Sequence, residues 1–311
     1  MTIEARGLTK RYGEKTAVDE LTFTVRPGTV TGFLGPNGAG KSTTMRLIVG
    51  LDAPTRGSVT VNGRPYARHP APLAEVGALL EARSVHTGRS AYKHLLALAL
   101  THGIPRARVE EVIEAVGLAG VARRRAGGFS LGMGQRLGIA AALLADPAVV
   151  VLDEPVNGLD PEGVLWIRNL LKELAAEGRT VFVSSHLMSE MALTAEHLVV
   201  VGRGRLLADT TMAEFVRSAG RDEVALKSPQ AGLLRELLAG PGVEIVSDAP
   251  GELRVRGVGA EDIGLTAAAH SVPLFELTPH RVSLEEAFME LTRDAVEYHA
   301  PAAGRKEEIA A

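Results

Sequence analysis

The stretch Gly35-Pro-Asn-Gly-Ala-Gly-Lys-Ser-Thr43 follows an apolar run at 30–34 and opens a helical pattern at Lys41. Its spacing, G-x-x-x-x-G-K-[ST] between a strand and a helix, suits a polyphosphate. Gly35, Gly38 and Gly40 let successive backbone N–H groups turn toward phosphate oxygens with no side chain in the way. Pro36, Asn37 and Ala39 complete the loop, and the helix starting at Lys41 adds the positive end of its dipole. Lys41 reaches the β- and γ-phosphates, while Ser42, followed by Thr43, offers a hydroxyl to the magnesium ion that bridges them. A second magnesium anchor is needed, and Val149-Val-Val-Leu-Asp-Glu-Pro155 supplies an apolar strand ending in two carboxylates. Asp153 is expected to hold magnesium through water, and Glu154 to polarise the water that attacks the γ-phosphate.

Such groups work only if strand ends bring them together. The short apolar runs 30–34, 149–152 and 180–184 read as parallel strands buried on both faces. Helices are predicted between them at 41–49, 91–102, 108–116, 131–145 and 161–176, an alternation that argues for an α/β core. Residues 2–25 alternate apolar and polar around a turn at Tyr12-Gly13, and 58–63 repeats the pattern before Asn62-Gly63. An antiparallel β portion is therefore expected first. A boundary is placed at the polar segment 217–221. Beyond it, strands at 223–227, 243–246, 252–256 and 273–277 and helices near 230–239, 260–268 and 283–293 run βαββαβ before the last helix, as in a ferredoxin-like domain. Ser283 with Glu286 forms a capping box for that last helix. Residues 300–311 read as a flexible tail.

The 311 residues correspond to about two domains at ~150 residues each. Ordinary proportions of 46% hydrophobic and 23% charged residues exclude wholesale disorder. A net charge of −3 gives no global reason to bind nucleic acid, and Arg123-Arg-Arg125 reads as a solvated or partner-facing loop. That total conceals a split: residues 1–219 carry 25 basic and 21 acidic side chains, and residues 220–311 carry 9 and 16. With no cysteine there is no disulfide, thiolate metal site or thiol nucleophile. The N-terminal residues lack a signal-peptide core. The longest apolar run, 137–152, is broken by Asp146-Pro147, and neither piece spans the ~30 Å of a hydrocarbon core.

Residues 2–217 resemble the ATP-binding cassette of ABC transporters. Phe129-Ser-Leu-Gly-Met-Gly-Gln-Arg136, 23 residues ahead of Asp153 counted from Ser130, is similar to the family's L-S-G-G-Q signature. Val156-Asn-Gly-Leu-Asp160 resembles the D-loop, His186 the switch histidine after its strand, and Tyr12 the ring that stacks on adenine. The resemblance implies an α/β, ABC-type P-loop NTPase cassette with an antiparallel β subdomain and a helical subdomain. To this the chain adds a small C-terminal α+β accessory domain at 222–299. It also implies a head-to-tail dimer of two copies, in which Ser130, Gly132 and Met133 of one copy close on ATP held by the other. Asp160 and His186 would act at that site, His186 by hydrogen-bonding the γ-phosphate. Ser130 is independently a good N-cap, so its turn is a second anion-attracting helix end.

Two departures stand out. The family's glutamine between phosphate loop and signature has no counterpart, because only Gln135 and Gln230 occur. Aligning 76–81 puts Glu81 there, a carboxylate able to ligate magnesium while adding negative charge beside the phosphates. Leu131 and Met133 replace glycine and glutamine in the signature. Both departures, and the domain after residue 217, are similar to ATPases of antibiotic-resistance exporters of the bacitracin, lantibiotic and daunorubicin type. The reading implied is an ATPase using ATP and magnesium, attached to the inner face of the cell membrane through a separately encoded permease, with export of an antibiotic, drug or lipid-like compound. The alternative is a soluble ABC ATPase acting on ribosomes or nucleic acid. One phosphate loop and no heptad insertion argue against it. A non-hydrolysing regulator is disfavoured by Glu154 and His186. Glu81→Gln is expected to keep ATP hydrolysis within about tenfold of the parent when phosphate release is measured, whereas complete loss would show a specific need for the carboxylate.

Overall fold

The computed structural model describes residues 1–81, 85–219, 223–247, 249–280 and 283–293. They divide into two compact units, one of residues 1–211 together with 291–293, the other Met212–Glu290.

In the first unit, period-two burial builds an antiparallel sheet. Strand β1 (Ile3–Tyr12) buries Ile3, Ala5 and Leu8, β2 (Lys15–Val25) buries Val18, Leu21, Phe23 and Val25, and β4 (Arg56–Val61) buries Val59 and Val61. Their order is β2-β1-β4. Asn62 and Gly63 both take positive φ, at 51° and 76°, and Val61 and Arg64 exchange backbone bonds across them. This is the tight turn that an Asn-Gly pair favours.

The second sheet carries the unbroken apolar strands. Strands β3 (Val30–Leu34), β6 (Val149–Leu152) and β7 (Thr180–Ser185) are buried at every position. The order is β5-β6-β7-β3-β8-β9, with β5 (Val76–Leu79) and β8 (His197–Gly202) parallel to them and β9 (Arg205–Thr211) antiparallel at the edge. Phe23, Phe33 and Phe182 tie the two sheets together, with ring centroids 5.0–5.7 Å apart. Stacked and tilted rings at this spacing add to the apolar burial beneath the strand that ends at Gly35.

The helices fall close to expectation. Helix α1 (Lys41–Ile48) opens directly from the glycine loop, and a single turn α2 (Pro72–Glu75) precedes β5. Helices α3 (Ala91–Thr101), α4 (Arg106–Ala115) and α5 (Leu131–Leu143) pack on one another as a helical subdomain. Helix α6 (Pro161–Ala176) begins at the Asp160 cap, and α7 (Met188–Thr194) follows β7. The sequence reading omits β5, β8, β9, α2 and α7. It also omits α8 (Met212–Ala219), so residues 217–219 of the expected linker are helical. Residues 220–222 lie outside the described residues.

The second unit has the expected βαββαβ order: β10 (Glu223–Lys227), α9 (Ala231–Leu238), β11 (Glu244–Val246), β12 (Glu252–Arg256), α10 (Ala260–Ala269) and β13 (Glu276–His280). Its antiparallel order β11-β12-β10-β13 is the ferredoxin-like arrangement. Val224, Leu226, Leu253 and Val255 meet Leu234 and Ile263 in its core. The alternate residues pair as ions, Glu223 with Arg254 and Arg256, and Lys227 with Glu252 and Glu276. The last strand is a correction: predicted at 273–277, it starts three residues later. Pro273 has no N–H to give a ladder and its carbonyl accepts from Ser228 Oγ, while pairing with β10 runs from Lys227↔Glu276 to Glu223↔His280. Pro279 is tolerated because β13 is an edge strand. Helix α11 (Leu284–Thr292) has the capping box in full, with Glu286 N–H donating to Ser283 Oγ at 3.1 Å and Ser283 N–H to Glu286 Oε2 at 2.8 Å. The expected tail at 300–311 lies outside the described residues. No helix among the described residues is long and apolar enough to cross a membrane.

Phe182→Ala is expected to destabilise the first unit by about 3–5 kcal/mol, through lost burial and the cavity left between the sheets. Urea unfolding followed by the fluorescence of Trp166, the sole tryptophan, will measure it.

Candidate functional site

Parallel strands all point their carboxyl ends at one edge of a sheet, and turns at that edge converge on a crevice. Here β3 delivers Gly35, β6 delivers Asp153 and Glu154, β7 delivers His186, and β5 leads to Glu81. Leu79 pairs with Leu152, and Asp153 N–H donates to the Leu79 carbonyl at 2.7 Å, so the turns carrying Glu81 and Asp153 leave adjacent strand ends.

The glycine loop is braced from outside. Ala39 N–H donates to the Pro36 carbonyl at 3.1 Å, and the Ala39 carbonyl accepts from Gly204 N–H at 3.0 Å. Gly38, inside the turn that this first bond closes, has φ 83°, and Gly40, the residue before α1, has φ 97°. A Cβ at Gly40 would run into the Ala17 carbonyl. Only glycine therefore turns the chain into the helix at this point. Ser42 and Thr43 lie in the first turn of α1. The next residue, Thr44, bonds back to the Gly40 carbonyl through Oγ1 at 2.9 Å. Lys41 curls over the loop, its Nζ donating to the Gly35 carbonyl at 2.6 Å and the Pro36 carbonyl at 3.3 Å. Its side chain is only 7% exposed, and its ammonium lies 3.6 Å from Glu154 Oε1. Burial pushes Lys41 below the usual lysine range, against the opposing pull of Glu154 and Asp153.

Glu154 is the most constrained residue of the group. Its φ is 48°, a left-handed conformation costing on the order of 1–3 kcal/mol for a non-glycine residue. Besides Lys41, three side chains hold it. Its N–H donates to Ser184 Oγ at 2.9 Å, its carbonyl accepts from Gln135 Nε2 at 3.2 Å, and its Oε2 lies 2.8 Å from His186 Nδ1. Ser184 Oγ also donates to Asp153 Oδ1. Lys41, Glu154 and His186 thus form one continuous chain of charged and hydrogen-bonding groups. The sequence reading missed Ser184 and the bond made by Gln135. Their signal was polarity where burial was expected, a serine at the end of an apolar strand and a glutamine inside an apolar helix.

The other expected residues form separate clusters. Ser130 caps α5, its Oγ accepting from Met133 N–H at 3.2 Å. Gly132 faces the Gly158 carbonyl and Leu159, so the signature turn packs on the D-loop segment of its own chain. Asp160 caps α6 by accepting from Gly163 N–H at 2.9 Å. Tyr12 stands apart: its hydroxyl donates to Asp52 at 2.8 Å, Asp52 pairs with Arg46 of α1 at 2.7 Å, and Lys10 Nζ sits 4.9 Å from the ring centroid. Trp166 packs as expected, donating to the Ala115 carbonyl at 3.3 Å with the Arg136 guanidinium 4.2 Å from its ring.

Ser42 and Glu81 line one cleft of about 560 Å³ beside α1 and β5. Ser42, Glu81 and Asp153 all offer oxygen donors, the ligand type that a hard cation such as magnesium takes. Among the described residues no three histidine or acidic side chains cluster as a metal cage.

The family model for the ABC transporter matches residues 18–157, and one for a domain of unknown function, DUF8746, matches residues 222–285. The bacitracin transport ATP-binding protein BcrA of Bacillus licheniformis is 41% identical over 210 residues, 67% of this chain and 69% of BcrA. The lantibiotic transport ATP-binding protein SrtF of Streptococcus pyogenes is 34% identical over 67% of this chain and 90% of SrtF. Among solved structures, the ATP-binding subunit of an ABC transporter superposes with a TM-score of 0.64 at 27% identity, covering 70% of this chain and 93% of that one. Ser184→Ala, which frees Asp153 and leaves the Glu154 N–H without its acceptor, is expected to lower ATP hydrolysis about 10–100-fold in a phosphate-release assay.

Proposed function

Because this chain belongs to the ABC transporter family as an ATP-binding subunit, and is thus an ATPase that powers transport, we propose that it drives a separately encoded permease that exports an antibiotic, a drug or a lipid-like compound. The observation carrying the catalytic part is the chain from Lys41 through Glu154 to His186 at the carboxyl edge of the sheet.

In this reading the N–H groups of residues 37–43, those of Gly38 and Gly40 among them, wrap the phosphates, and Lys41 exchanges its loop carbonyls for β- and γ-phosphate oxygens. Ser42, Asp153 and Glu81 would hold magnesium, which would supply positive charge to neutralise the phosphates. Glu154 accepts the proton of the attacking water, and His186, within hydrogen-bond distance of it, orients the carboxylate and meets the γ-phosphate. Tyr12 stacks on adenine. A second copy contributes the Ser130 turn, with Gly132 and Met133, and its Asp160 segment, so that two ATP molecules are enclosed between two copies. Hydrolysis reopens the pair and moves the permease.

Residues 2–217 are taken as the cassette and 222–299 as an accessory domain, with 300–311 as a tail. The protein is placed at the inner face of the cell membrane through its permease. Export, rather than import, rests on the resemblance to resistance-type exporters, and a Nod factor export ATP-binding protein is among the relatives.

Glu154→Gln is expected to lower phosphate release at least about 100-fold while ATP binding persists, and unchanged release would overturn the mechanism. Tagged chain should be recovered from cells together with a membrane-spanning protein. Recovery with ribosomes instead would overturn the transport role.

A further inference from the structure

The signature turn and the D-loop segment touch within one chain through a residue that the family pattern does not supply. Leu131 stands where glycine is usual, and its side chain lies directly on Gly158. A Cβ at Gly158 would overlap Leu131 Cγ and Cδ2, while a Cβ at Gly132 would come within 3.0 Å of the Gly158 carbonyl. Side chain and glycine are thus shaped to one another. One turn further along α5, Gln135 Nε2 donates to the Glu154 carbonyl at 3.2 Å. That carbonyl also accepts from Asn157 N–H at 3.2 Å, and Leu159 N–H donates to the Val156 carbonyl at 3.1 Å. Residues 154–160 are therefore a short series of turns held to α5 at Glu154 and at Gly158, and to α6 by the Asp160 cap.

We propose that Leu131 is a positioning residue for ATP hydrolysis, seated on Gly158 so that the signature helix and the loop from Glu154 to α6 move as one piece. A glycine at 131 has no side chain to make this seat. Displacing Gly158 moves Asn157, whose N–H bonds the Glu154 carbonyl, so the seat sets the aim of the carboxylate. The same helix end carries Ser130, and the seat places the turn offered to the partner's ATP in register with the chain's own Glu154. The inference rests on the ATPase reading above.

The test is a double-mutant cycle on the purified full chain, using Leu131→Gly, Gly158→Ala and the double variant, with kcat and KM for ATP measured separately. Leu131→Gly is expected to lower kcat about tenfold and leave KM within about twofold, because the phosphate loop is untouched. Gly158→Ala is expected to lower kcat more than about tenfold in the parent but no more than about threefold in the Leu131→Gly background, where the obstructing side chain is gone. The cost of alanine at the φ of 76° is common to both backgrounds and cancels. Equal losses in the two backgrounds, or parental kcat in Leu131→Gly, would overturn the proposal. If Gly158→Ala does not fold, Leu131→Met decides: kcat within about threefold of the parent, against the loss in Leu131→Gly, supports the seat, and equal loss in both overturns it. A parent chain that hydrolyses no ATP would strike the catalytic reading itself, whereas equal losses in an active chain strike only the seat.

Discussion

A lysine ammonium held out of water at the end of a parallel sheet needs compensation, and the site is arranged around supplying it. Lys41 is satisfied by two carbonyls of the loop from which its own helix starts and by the Glu154 carboxylate 3.6 Å away. Burial weakens such a cation, and the nearby carboxylates offset only part of that. Polyphosphate answers the same need more fully, since it offers several anionic oxygens where the loop offers neutral carbonyls. A buried, partly compensated cation is thus a physical reason for affinity, and the carboxylate that compensates it is the one proposed to activate water.

Glu154 keeps that place at a cost in backbone strain, and the structure holds it through neighbours rather than through its own conformational preference. Ser184 from β7, Gln135 from α5 and His186 beyond β7 each make one contact with it. Two of these contacts fix its backbone and one its carboxylate, which is how a left-handed glutamate persists. Because two of those contacts come from the switch strand and the signature helix, motion of either reaches the proposed general base directly.

Much of the first unit was legible in residue patterns. The glycine loop, the strands at 30–34 and 149–152 and helix 161–176 appear as read, because short apolar runs bounded by turn residues and a Pro after an Asp cap are local signals. Strand β5 was missed because Gly77 and Ala78 leave it without the run of bulky apolar residues that marks the equally short β6, and β13 was shifted because its start depends on pairing with Lys227 rather than on its own apolarity. Ser184 was invisible as a functional residue because a serine in a buried strand has no chemistry until its neighbours are known. The second unit's alternation was readable, yet the pairing of its outward charges across β10, β12 and β13 was not.

The sequence by itself determined the family, and with it the glycine loop and the pair of carboxylates for which phosphate binding and water activation are proposed, since these depend on residue types at short fixed spacing. Tertiary structure decided which groups act on which. Lys41, Glu154 and His186 lie far apart along the chain and meet only because β3, β6 and β7 are neighbours in a parallel sheet, whose strands end together at one edge. Leu131 against Gly158 is of the same kind: a substitution that reads as a blemish in a motif becomes a contact once α5 is laid on the loop after β6. Long-range packing carries that information, and no local period encodes it.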